Sequence, residues 1–343
     1  MSAEASVIER CICLRSIDGG SELRTLHPKL RAVSGLLVAA VLVLAGCGED
    51  AEPTAAAPTT QASPTFPVTV TDGAGKQVTL SKRPTAIVSL APTPTEMLFA
   101  IGAGSQVKAV DSLSNYPAEA PRTDLSGFEP NVEAIAGYRP DLVVLTDDIQ
   151  DVVAGLAALD VPVLRLPAAD TLDDTYRQLT ALGTATGHPA EAEAVVTKMR
   201  ADIQQIAGSV PKRGDKLSYY HELDQTLFTV TSDTFIGQIY GLVGLQNVAD
   251  SAGKQGGAYP QLSAEFLVDA NPDLIFLADT KCCGQSTETI AKRRGFAELA
   301  AVKDGRVVEL DDDIASRWGP RVVDFLRVVA GAVTQVPEPV PTG

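Results

Sequence analysis

Two segments of the chain, 132 residues apart, follow the same pattern. One reads EAIAGYRPDLVVLTDD from Glu133 and the other reads EFLVDANPDLIFLADT from Glu265. In both, Pro-Asp-Leu comes seven residues after the glutamate, at Pro140 and Pro272, and an apolar run typical of a buried strand follows. Because matched segments at a fixed offset indicate an internal repeat, we expect two lobes of similar construction.

A second matched pair lies upstream of the first and keeps the same order. MLFAIGAGSQVKAVD ends at Asp111 and QIYGLVGLQNVAD ends at Asp250, and each combines a helical pattern, glycines and a short strand. Strand, helix and strand also alternate in DLVVLTDD, IQDVVAGLAALD and VPVLRL, which is typical of a parallel sheet. The sequence therefore predicts an α/β fold with two similar lobes, each built on a central parallel sheet.

One long helix is predicted to join the two lobes. The segment HPAEAEAVVTKMRADIQQIAGSV has apolar residues at near-helical spacing and no glycine before Gly208. At 1.5 Å per residue, a helix of about twenty residues is roughly 30 Å long. We therefore divide the folded body into an N-terminal lobe at residues 66–186, a connecting helix at 187–210 and a C-terminal lobe at 211–337.

The first 46 residues have the pattern of an export signal. Arg24, Lys29 and Arg31 precede the apolar run AVSGLLVAAVLVLA, which is shorter than the roughly 18 residues that a transmembrane helix needs. The run ends in LAGC, which resembles a bacterial lipobox with Cys47 as the lipidated cysteine. The alternative is a cleaved secretory peptide with an incidental cysteine. A diacylated Cys47 would anchor the protein stably to the membrane.

The segment after the signal predicts a tether, and the charge of the remaining chain limits its partners. Residues 47–65 are rich in Ala, Pro and Thr and poor in large apolar side chains, so we expect them to stay flexible. Without residues 1–46, the chain carries 23 Lys and Arg against 39 Asp and Glu, a net charge of −16. This excess argues against nucleic acid or an anionic membrane surface as a partner. We expect a monomer, lipid-anchored on the extracytoplasmic face of the cell membrane.

The loops that follow the strands are the expected ligand site. The carboxyl ends of parallel strands form the binding crevice of an open α/β sheet, so two facing lobes enclose a cleft. Aromatic residues make up only 5% of the chain, yet several fall on these predicted loops, where they can stack on a flat ligand or simply cover the core. The candidate ligand-binding residues are Thr93, Tyr116, Phe128, Tyr219, Tyr220, His221, Tyr259, Cys282, Cys283, Arg317, Trp318 and Arg321.

A helix is predicted to begin at one of these loops. Thr93, Pro94 and Glu96 in APTPTEMLFA stand where a capping box with proline in the first turn would place them. In a capping box the threonine and glutamate side chains bond to the backbone N–H groups at the helix start. We therefore expect the Glu96 side chain to bond to the backbone of its own helix.

The chain lacks the common catalytic motifs. It has no Gly-x-Ser-x-Gly elbow, no phosphate-binding loop and no His-Glu-x-x-His. Beyond residue 46 the histidines are His188 and His221, which are too few for a metal site built from several histidines. We therefore predict no catalytic residue, no metal site and no cofactor.

The adjacent cysteines in TKCCGQS admit several interpretations. Cys282 and Cys283 are the only cysteines after Cys47. They can form a strained ring disulfide, or stay as two thiols packed like small apolar groups. A cysteine and His221 on neighbouring cleft loops would make an exported thiol enzyme, which is the main alternative from another functional class. Since both cysteines follow a Pro-Asp-Leu strand, we expect them to contact a ligand rather than to catalyse.

Four segments together resemble one known family, the substrate-binding lipoproteins of bacterial ABC importers for iron complexes and vitamin B12. They are IVSLAPTPTEMLFAIGAGSQVKAVDSLSNYP, GFEPNVEAIAGYRPDLVVL, YPQLSAEFLVDANPDLIFL and RWGPRVVDF, and the resemblance covers about residues 66–335. It implies a class III periplasmic-binding-protein-like fold, in which two lobes joined by a long helix deliver a ligand to a permease dimer and its ATPase. It also implies that Glu133 and Glu265 pair with arginines on the two permease subunits.

The resemblance leaves three ligand classes open. Vitamin B12 binders of the family resemble this chain in SNYP, in the loop around Phe128 and in Pro320-Arg321, so a corrinoid is slightly favoured. Ferric siderophore binders use arginine and tyrosine against anionic chelates. A haem binder needs an axial ligand, which Tyr220 or His221 would supply. A further alternative is a cell-surface sensor accessory that uses the same lobes to signal.

Overall fold

The computed structural model describes residues 65–252 and 257–337. The predicted signal peptide, Cys47 and all but the last residue of the predicted tether lie outside the described residues. Within the described ranges, no helix combines the length and the apolar character needed to cross a bilayer. These ranges form two four-stranded sheets and one two-stranded sheet, with helices between the strands. The predicted α/β class is therefore confirmed.

The N-terminal lobe contains a hairpin and a parallel sheet. Its strands are β1 (Val68–Thr71), β2 (Gln77–Leu80), β3 (Ile87–Ser89), β4 (Val107–Val110), β5 (Leu142–Leu145) and β6 (Val163–Arg165). β1 and β2 pair antiparallel, and the sheet has the parallel order β4-β3-β5-β6. All four residues of β5 are buried, as expected for a parallel strand covered on both faces.

Four helices surround this sheet. They are α1 (Pro92–Ala100), α2 (Val132–Gly137), α3 (Val152–Ala157) and α4 (Leu172–Thr186). α4 begins with a capping box between Thr171 and Asp174 and ends at Gly187, whose φ of 80° suits glycine. The capping box predicted for α1 is wrong, because α1 follows Ala91 and no side chain caps it. The carboxylate of Glu96 turns away from the helix start to partners in the other lobe.

One helix joins the lobes. α5 (Pro189–Ser209) has 21 residues and packs against both α4 and the helix Val322–Gln335 of the other lobe. Its buried residues are Ala192, Val196, Met199 and Ile203, at the spacing of one helical face. One helix in the described part of the chain therefore links the two sheets.

The C-terminal lobe repeats the plan of the first. Its strands are β7 (Ser218–Glu222), β8 (Gln246–Asn247), β9 (Leu274–Leu277) and β10 (Val307–Glu309), in the parallel order β10-β9-β7-β8. Its helices are α6 (Phe235–Gly241), α7 (Ala264–Ala270), α8 (Thr280–Cys283), α9 (Thr287–Ala291), α10 (Ala300–Lys303), α11 (Asp312–Ala315) and α12 (Val322–Gln335).

The internal repeat is built from equivalent contacts. Asp141, just before β5, accepts hydrogen bonds from the backbone N–H of Thr85 (3.0 Å) and Ala86 (2.8 Å) ahead of β3. Asp273, just before β9, accepts one from the N–H of Ser218 at the start of β7 (2.8 Å). Each aspartate of a Pro-Asp-Leu segment therefore fixes the start of the neighbouring strand.

A single hydrophobic core runs through both lobes. It joins buried residues of the first sheet, of α5, of α12 and of one face of the second sheet, and each sheet has a smaller cluster on its other face. Because separating the lobes would expose this apolar surface to water, we expect only small relative movements.

Candidate ligand-binding cleft and docking surface

The carboxyl ends of the two sheets meet around one buried glutamate. Glu96 of α1 accepts hydrogen bonds from Arg317 Nη1 (2.5 Å) and from Arg321 Nε (2.8 Å), both in the C-terminal lobe. Its side chain is only 2% exposed, and that of Arg317 is 8% exposed. An ion pair between nearly buried groups is strong, but removing its charges from water offsets much of the energy that the pair supplies. Its main effect is therefore to fix the relative positions of the paired side chains. This cluster sets how the two lobes face each other.

A second set of polar contacts crosses the cleft beside this cluster. Asn115 Nδ2 donates to Asp313 Oδ2 at 3.0 Å, and Asn115 Oδ1 accepts from Arg317 Nη2 at 3.1 Å. Arg317 Nη2 also donates to Asp313 Oδ1 at 2.7 Å. Partial burial opposes ionisation of Asp313, but the charge of Arg317 and these hydrogen bonds lower its pKa overall. The asparagine of SNYP thus joins both lobes.

The cleft wall carries no surplus of positive charge. Lys281 Nζ lies 2.5 Å from Asp311 Oδ1 and 3.1 Å from Asp313 Oδ2. With Glu96 and Asp312, the wall has four carboxylates. They outnumber its three basic side chains, which are Lys281, Arg317 and Arg321. Anionic groups entering this cleft therefore meet arginines that already have carboxylate partners.

Tyr116 stands at the edge of the arginine cluster and remains open to solvent. The guanidinium carbon of Arg321 lies 4.2 Å from the centre of the Tyr116 ring, a cation–π distance. The side chain is 47% exposed. Tyr116 thus presents a held, accessible ring to a ligand.

Trp318 also connects the lobes. Its indole Nε1 donates to Gln178 Oε1 at 3.0 Å, and its carbonyl accepts from Thr175 Oγ1 at 2.8 Å, both on α4. The ring is partly buried against the shared core. Trp318, the single tryptophan of the sequence, therefore lies at a contact between the two lobes.

The remaining N-terminal and loop candidates are less accessible. Thr93 is buried in α1, with 2% exposure. Phe128 and Tyr259 are partly buried, and Tyr259 packs against the shared core. Next to the SNYP segment, Ser114 Oγ donates a hydrogen bond to the Asp111 carboxylate and lies 2.9 Å from Thr95 Oγ1. Burial raises the pKa of Asp111 to about 6, against the opposing effect of the Ser114 hydrogen bond.

The aromatic group SYYHE lies inside the second sheet rather than on a cleft loop. Tyr219, Tyr220 and His221 belong to β7 and are at most 1% exposed. The Tyr219 ring stacks on Tyr240 at 4.0 Å, and His221 Nδ1 lies 2.7 Å from the Tyr240 hydroxyl. Burial lowers the pKa of His221 to about 3, so it stays neutral. The expected loop position is wrong, because β7 extends through all five residues.

The adjacent cysteines lie on a short helix that an aspartate caps from α11. The Asp312 carboxylate accepts hydrogen bonds from the backbone N–H of Lys281 (2.9 Å) and Cys282 (2.8 Å) at the start of α8. The two sulfurs are 2.7 Å apart and belong to thiols, not to a disulfide. Burial, and then the neighbouring Cys282, raise the pKa of Cys283 to about 12. The raised pKa of Cys283 disfavours a thiolate at that position, and Nδ1 of the enclosed His221 is hydrogen-bonded to the Tyr240 hydroxyl.

A buried charged cluster in the C-terminal lobe is absent from the sequence-based predictions. Arg293 makes two hydrogen bonds of 2.6 Å to the two carboxylate oxygens of Glu222, which is fully buried at the end of β7. Asp279 is also fully buried, and neither of its carboxylate oxygens has a hydrogen-bond partner. Burial, and then the charge of Glu222, raise the pKa of Asp279 to about 8. The one sequence signal for such a cluster is a glutamate directly after the aromatic residues of SYYHE.

The two repeat glutamates occupy equivalent exposed positions. Glu133 is the second residue of α2 and Glu265 the second residue of α7. Each helix has a side-chain cap: Asn131 accepts from the N–H of Ala134 at 2.9 Å, and Ser263 accepts from that of Phe266 at 3.1 Å. Each lobe thus presents one carboxylate at a capped helix start.

This arrangement of two similar lobes, a long linking helix and a polar cleft matches a known family. The family model described as "Periplasmic binding protein" matches residues 87–314. The chain belongs to the periplasmic binding protein family. The chain is 32% identical, over 88% of its length and 95% of the relative, to an uncharacterized ABC transporter substrate-binding lipoprotein, YvrC, of Bacillus subtilis. It is 29% identical to a cobalamin-binding protein of Halobacterium salinarum, over 78% of the chain and 74% of the relative.

A solved structure of the same family is similar in three dimensions. A possible iron-binding periplasmic solute-binding protein of Staphylococcus epidermidis is 26% identical, with a TM-score of 0.64 over 74% of this chain and 100% of that one. By its family, the protein is therefore a substrate-binding component of an ABC importer, and not an enzyme. Its partners are a permease with its ATPase and a small-molecule ligand. In the described part of the chain, no group of three His, Cys, Asp or Glu residues is arranged to hold a metal ion.

Proposed function

We propose that this protein is a monomeric, lipid-anchored extracytoplasmic binding protein that captures a corrinoid between its lobes and delivers it to the permease. The observation that carries the ligand assignment is the state of the cleft arginines. Glu96 holds Arg317 and Arg321, and Asp313 holds Arg317 a second time. A ligand of this cleft therefore cannot depend on strong pairing between its own anionic groups and free arginines.

The three ligand classes make different demands on the cleft. A ferric siderophore is often an anionic chelate that needs uncompensated positive charge. Haem needs an axial ligand, but Tyr220 and His221 are enclosed in β7. A corrinoid presents uncharged amides around a flat ring, which suits hydrogen bonds from asparagine and stacking on the open ring of Tyr116. The cobalamin-binding relative supports the same choice.

The proposed ligand contacts are the candidates outside β7, of which Thr93 and Arg317 are themselves nearly buried. We retain the candidates that border the cleft and leave out the three enclosed residues of β7. The retained candidates are Thr93, Tyr116, Phe128, Tyr259, Cys282, Cys283, Arg317, Trp318 and Arg321. Among these, Tyr116 and Trp318 are proposed to pack against the ring, and the arginines to orient Tyr116 while bonded to Glu96.

Membrane attachment and docking complete the proposal. The LAGC segment supports lipidation at Cys47, and a diacylated cysteine anchors stably where a single acyl chain does not. Glu133 and Glu265 are proposed to contact arginines of the two permease subunits, one for each lobe. One charge on each lobe sets the orientation of the complex more than its affinity.

The ligand assignment is tested by titrating purified residues 48–343 and following the fluorescence of Trp318, the only tryptophan. We expect saturable quenching by cyanocobalamin and no saturation with a ferric tris-catecholate chelate or with haemin. Saturable binding of either iron complex, without cyanocobalamin binding, would replace the corrinoid by that ligand. A chain that binds none of the three contradicts the transport function and favours a sensor accessory.

A further inference from the structure

Cys282 and Cys283 lie side by side in α8, and both side chains are partly exposed. Their sulfurs are 2.7 Å apart, and each belongs to a thiol. No other cysteine follows Cys47 in the sequence, so each thiol has only the other as a cysteine neighbour in the folded body. Reagents in the solvent can therefore reach two thiols that are already in contact.

A disulfide between these adjacent residues does not fit the helical backbone of α8. Cα atoms joined by a trans peptide are about 3.8 Å apart, whereas a disulfide usually requires a separation of about 4.4–6.8 Å. Closing a disulfide ring therefore requires the backbone of Cys282 and Cys283 to move. Gly284 follows directly with a φ of 65°, in the left-handed region that suits glycine, so this movement does not have to break further helical turns.

One carboxylate holds the start of α8. Asp312 accepts hydrogen bonds from the backbone N–H of Thr280 (3.0 Å), of Lys281 (2.9 Å) and of Cys282 (2.8 Å). The Thr280 hydroxyl also donates to Asp312, at 2.8 Å. Three N–H groups converge on one carboxylate only while residues 280–282 keep their helical geometry. A change in the backbone at Cys282 therefore breaks part of this cap.

The same helix is connected to the contacts between the lobes. Lys281 directly precedes the cysteine pair, and its Nζ lies 3.1 Å from Asp313 Oδ2. Asp313 in turn accepts hydrogen bonds from Asn115 of the N-terminal lobe (3.0 Å) and from Arg317 (2.7 Å). A movement of α8 therefore displaces a lysine whose partner joins the two lobes across the cleft.

We propose that Cys282 and Cys283 are a thiol–disulfide modification site, at which a small-molecule disulfide produces a ring disulfide that loosens the cleft and weakens ligand binding. The inference rests on the proposed function, which places the pair outside the cytoplasm, where disulfides form and persist, and beside the ligand. Reduction of the ring restores α8 and its contacts. The redox state of two adjacent residues thus sets how firmly the ligand is held.

The modification consists of two thiol–disulfide exchanges. The Cys282 thiolate attacks one sulfur of the disulfide RS–SR, forms a mixed disulfide and releases RS⁻. The Cys283 sulfur then attacks the Cys282 sulfur, closes the ring and releases a second RS⁻. The two cysteine protons pass through solvent to these anions, so one RS–SR is reduced to two RSH while two thiols are oxidised. Because the raised pKa of Cys283 makes it a poor attacking thiol, Cys282 reacts first, and contact between the sulfurs favours the second step.

Peptide mass spectrometry of the full chain, isolated from its host membrane, tests the ring. The protein is reduced, treated with glutathione disulfide, blocked with N-ethylmaleimide and digested with trypsin. The fragment CCGQSTETIAK, residues 282–292, contains both cysteines. We expect this fragment to carry no maleimide and to be lighter by two hydrogen atoms than its dithiol form. Two maleimide labels after the treatment, or glutathione bound to the pair without a ring, overturns the proposal.

Single substitutions separate the two exchanges. In Cys283→Ser, we expect glutathione disulfide to leave a stable glutathione adduct on Cys282. In Cys282→Ser, we expect little adduct on Cys283, because its thiol ionises poorly. An adduct on Cys283 as abundant as the one on Cys282 contradicts the assigned order of attack.

Cyanocobalamin titrations of the reduced and the oxidised protein measure the effect on the cleft. We expect the affinity, followed by Trp318 fluorescence, to fall roughly tenfold on oxidation and to recover with dithiothreitol. The affinity of the double variant Cys282→Ser with Cys283→Ser, whatever its value, is expected not to respond to glutathione disulfide. Equal affinities of the reduced and oxidised unsubstituted protein overturn the coupling to the cleft.

A readout without ligand separates this proposal from the corrinoid assignment. If the reduced chain does not bind cyanocobalamin, the corrinoid assignment fails, whereas the mass change still decides the ring disulfide. Amide hydrogen exchange at residues 280–282 then decides the coupling. We expect faster exchange after oxidation, because the Asp312 cap is partly broken, and unchanged exchange overturns the proposed movement of α8.

Discussion

The two lobes share one frame and differ in what they bury at the same positions. In the paired strands, Ile87 faces Leu142 in the first lobe as Tyr219 faces Leu274 in the second. By this register, apolar Leu90 of the first lobe corresponds to Glu222 of the second. The first lobe continues its apolar cluster there, whereas the second buries a glutamate with Arg293. Positions that build the sheet are repeated, while positions around its carboxyl end have diverged.

The largest expected effect comes from breaking the buried ion pair between Glu222 and Arg293, since the first lobe has the apolar Leu90 at the position of Glu222. Arg293→Leu leaves Glu222 buried without its partner, and losing one member of such a pair costs about 3–5 kcal/mol of unfolding free energy. The double variant Glu222→Leu with Arg293→Leu imitates Leu90 of the first lobe and is expected to recover most of this loss. Urea unfolding of the three proteins measures both steps. A double variant as unstable as the single one contradicts the equivalence of the two positions.

The second prediction concerns pH, since each lobe holds one carboxyl group with a raised pKa. Asp111 has a pKa of about 6 and Asp279 a pKa of about 8, both above the ordinary 3.8. The folded protein therefore retains protons that the unfolded chain releases, so each group lowers stability as pH rises from about 4 to its folded pKa. We expect Asp279→Asn to remove the decline between about pH 6 and 8, and Asp111→Asn to act only below about 6. Melting temperature against pH tests this, and identical profiles for the two variants would falsify it.

The third prediction tests the junction of the lobes. Glu96→Gln keeps the shape of the side chain but removes the charge that Arg317 and Arg321 share. Weakening these charged hydrogen bonds is expected to cost about 1–3 kcal/mol, because both arginines stay partly enclosed. The released positive charge should also allow the ferric tris-catecholate chelate to bind. Urea unfolding and the Trp318 titration measure the two effects, and Asp160→Asn at an exposed position is a control for loss of one acidic charge. If the variant still does not bind the anionic chelate, the charge balance between Glu96 and the two arginines does not determine which ligand binds.

The smallest expected effects probe the frame that the lobes share. Asn131→Ala and Ser263→Ala each remove the side-chain cap of a glutamate-bearing helix. Each loss is expected to cost about 1 kcal/mol of unfolding free energy, and about the same in both lobes. Thermal unfolding of the two variants provides the comparison. A cost confined to one lobe would show that the two glutamate-bearing helices are not equivalent in stability.

Sequence patterns succeed where local chemistry decides the structure. The Pro-Asp-Leu segments lead directly into β5 and β9, and their aspartates fix the neighbouring strands. The apolar spacing of α5 corresponds to a buried face of the observed helix. The strands and the helix depend on residues within a few positions of each other, so propensity and periodicity are sufficient to predict them, whereas the aspartate contacts join residues 55 positions apart.

The same patterns fail where a distant partner competes for a side chain. Glu96 matches a capping box, yet its carboxylate is held by Arg317, 221 residues away, because charged hydrogen bonds in a nearly dry site outweigh a weak exposed cap. The sequence predicts that Tyr219 and Tyr220 lie on a loop, but both belong to β7, a strand that is covered on both faces of the sheet. No local pattern indicates whether an aromatic side chain faces a ligand or the core.

By itself, the sequence of this protein determined the two-lobe α/β plan, the linking helix and the matched positions of Glu133 and Glu265, because these arise from repeated local patterns. Only the tertiary structure decided that the cleft arginines already have carboxylate partners and that Glu222 and Asp279 are buried in the C-terminal lobe. Charge compensation depends on which side chains meet in the folded core, and that is set by packing between segments far apart in the chain.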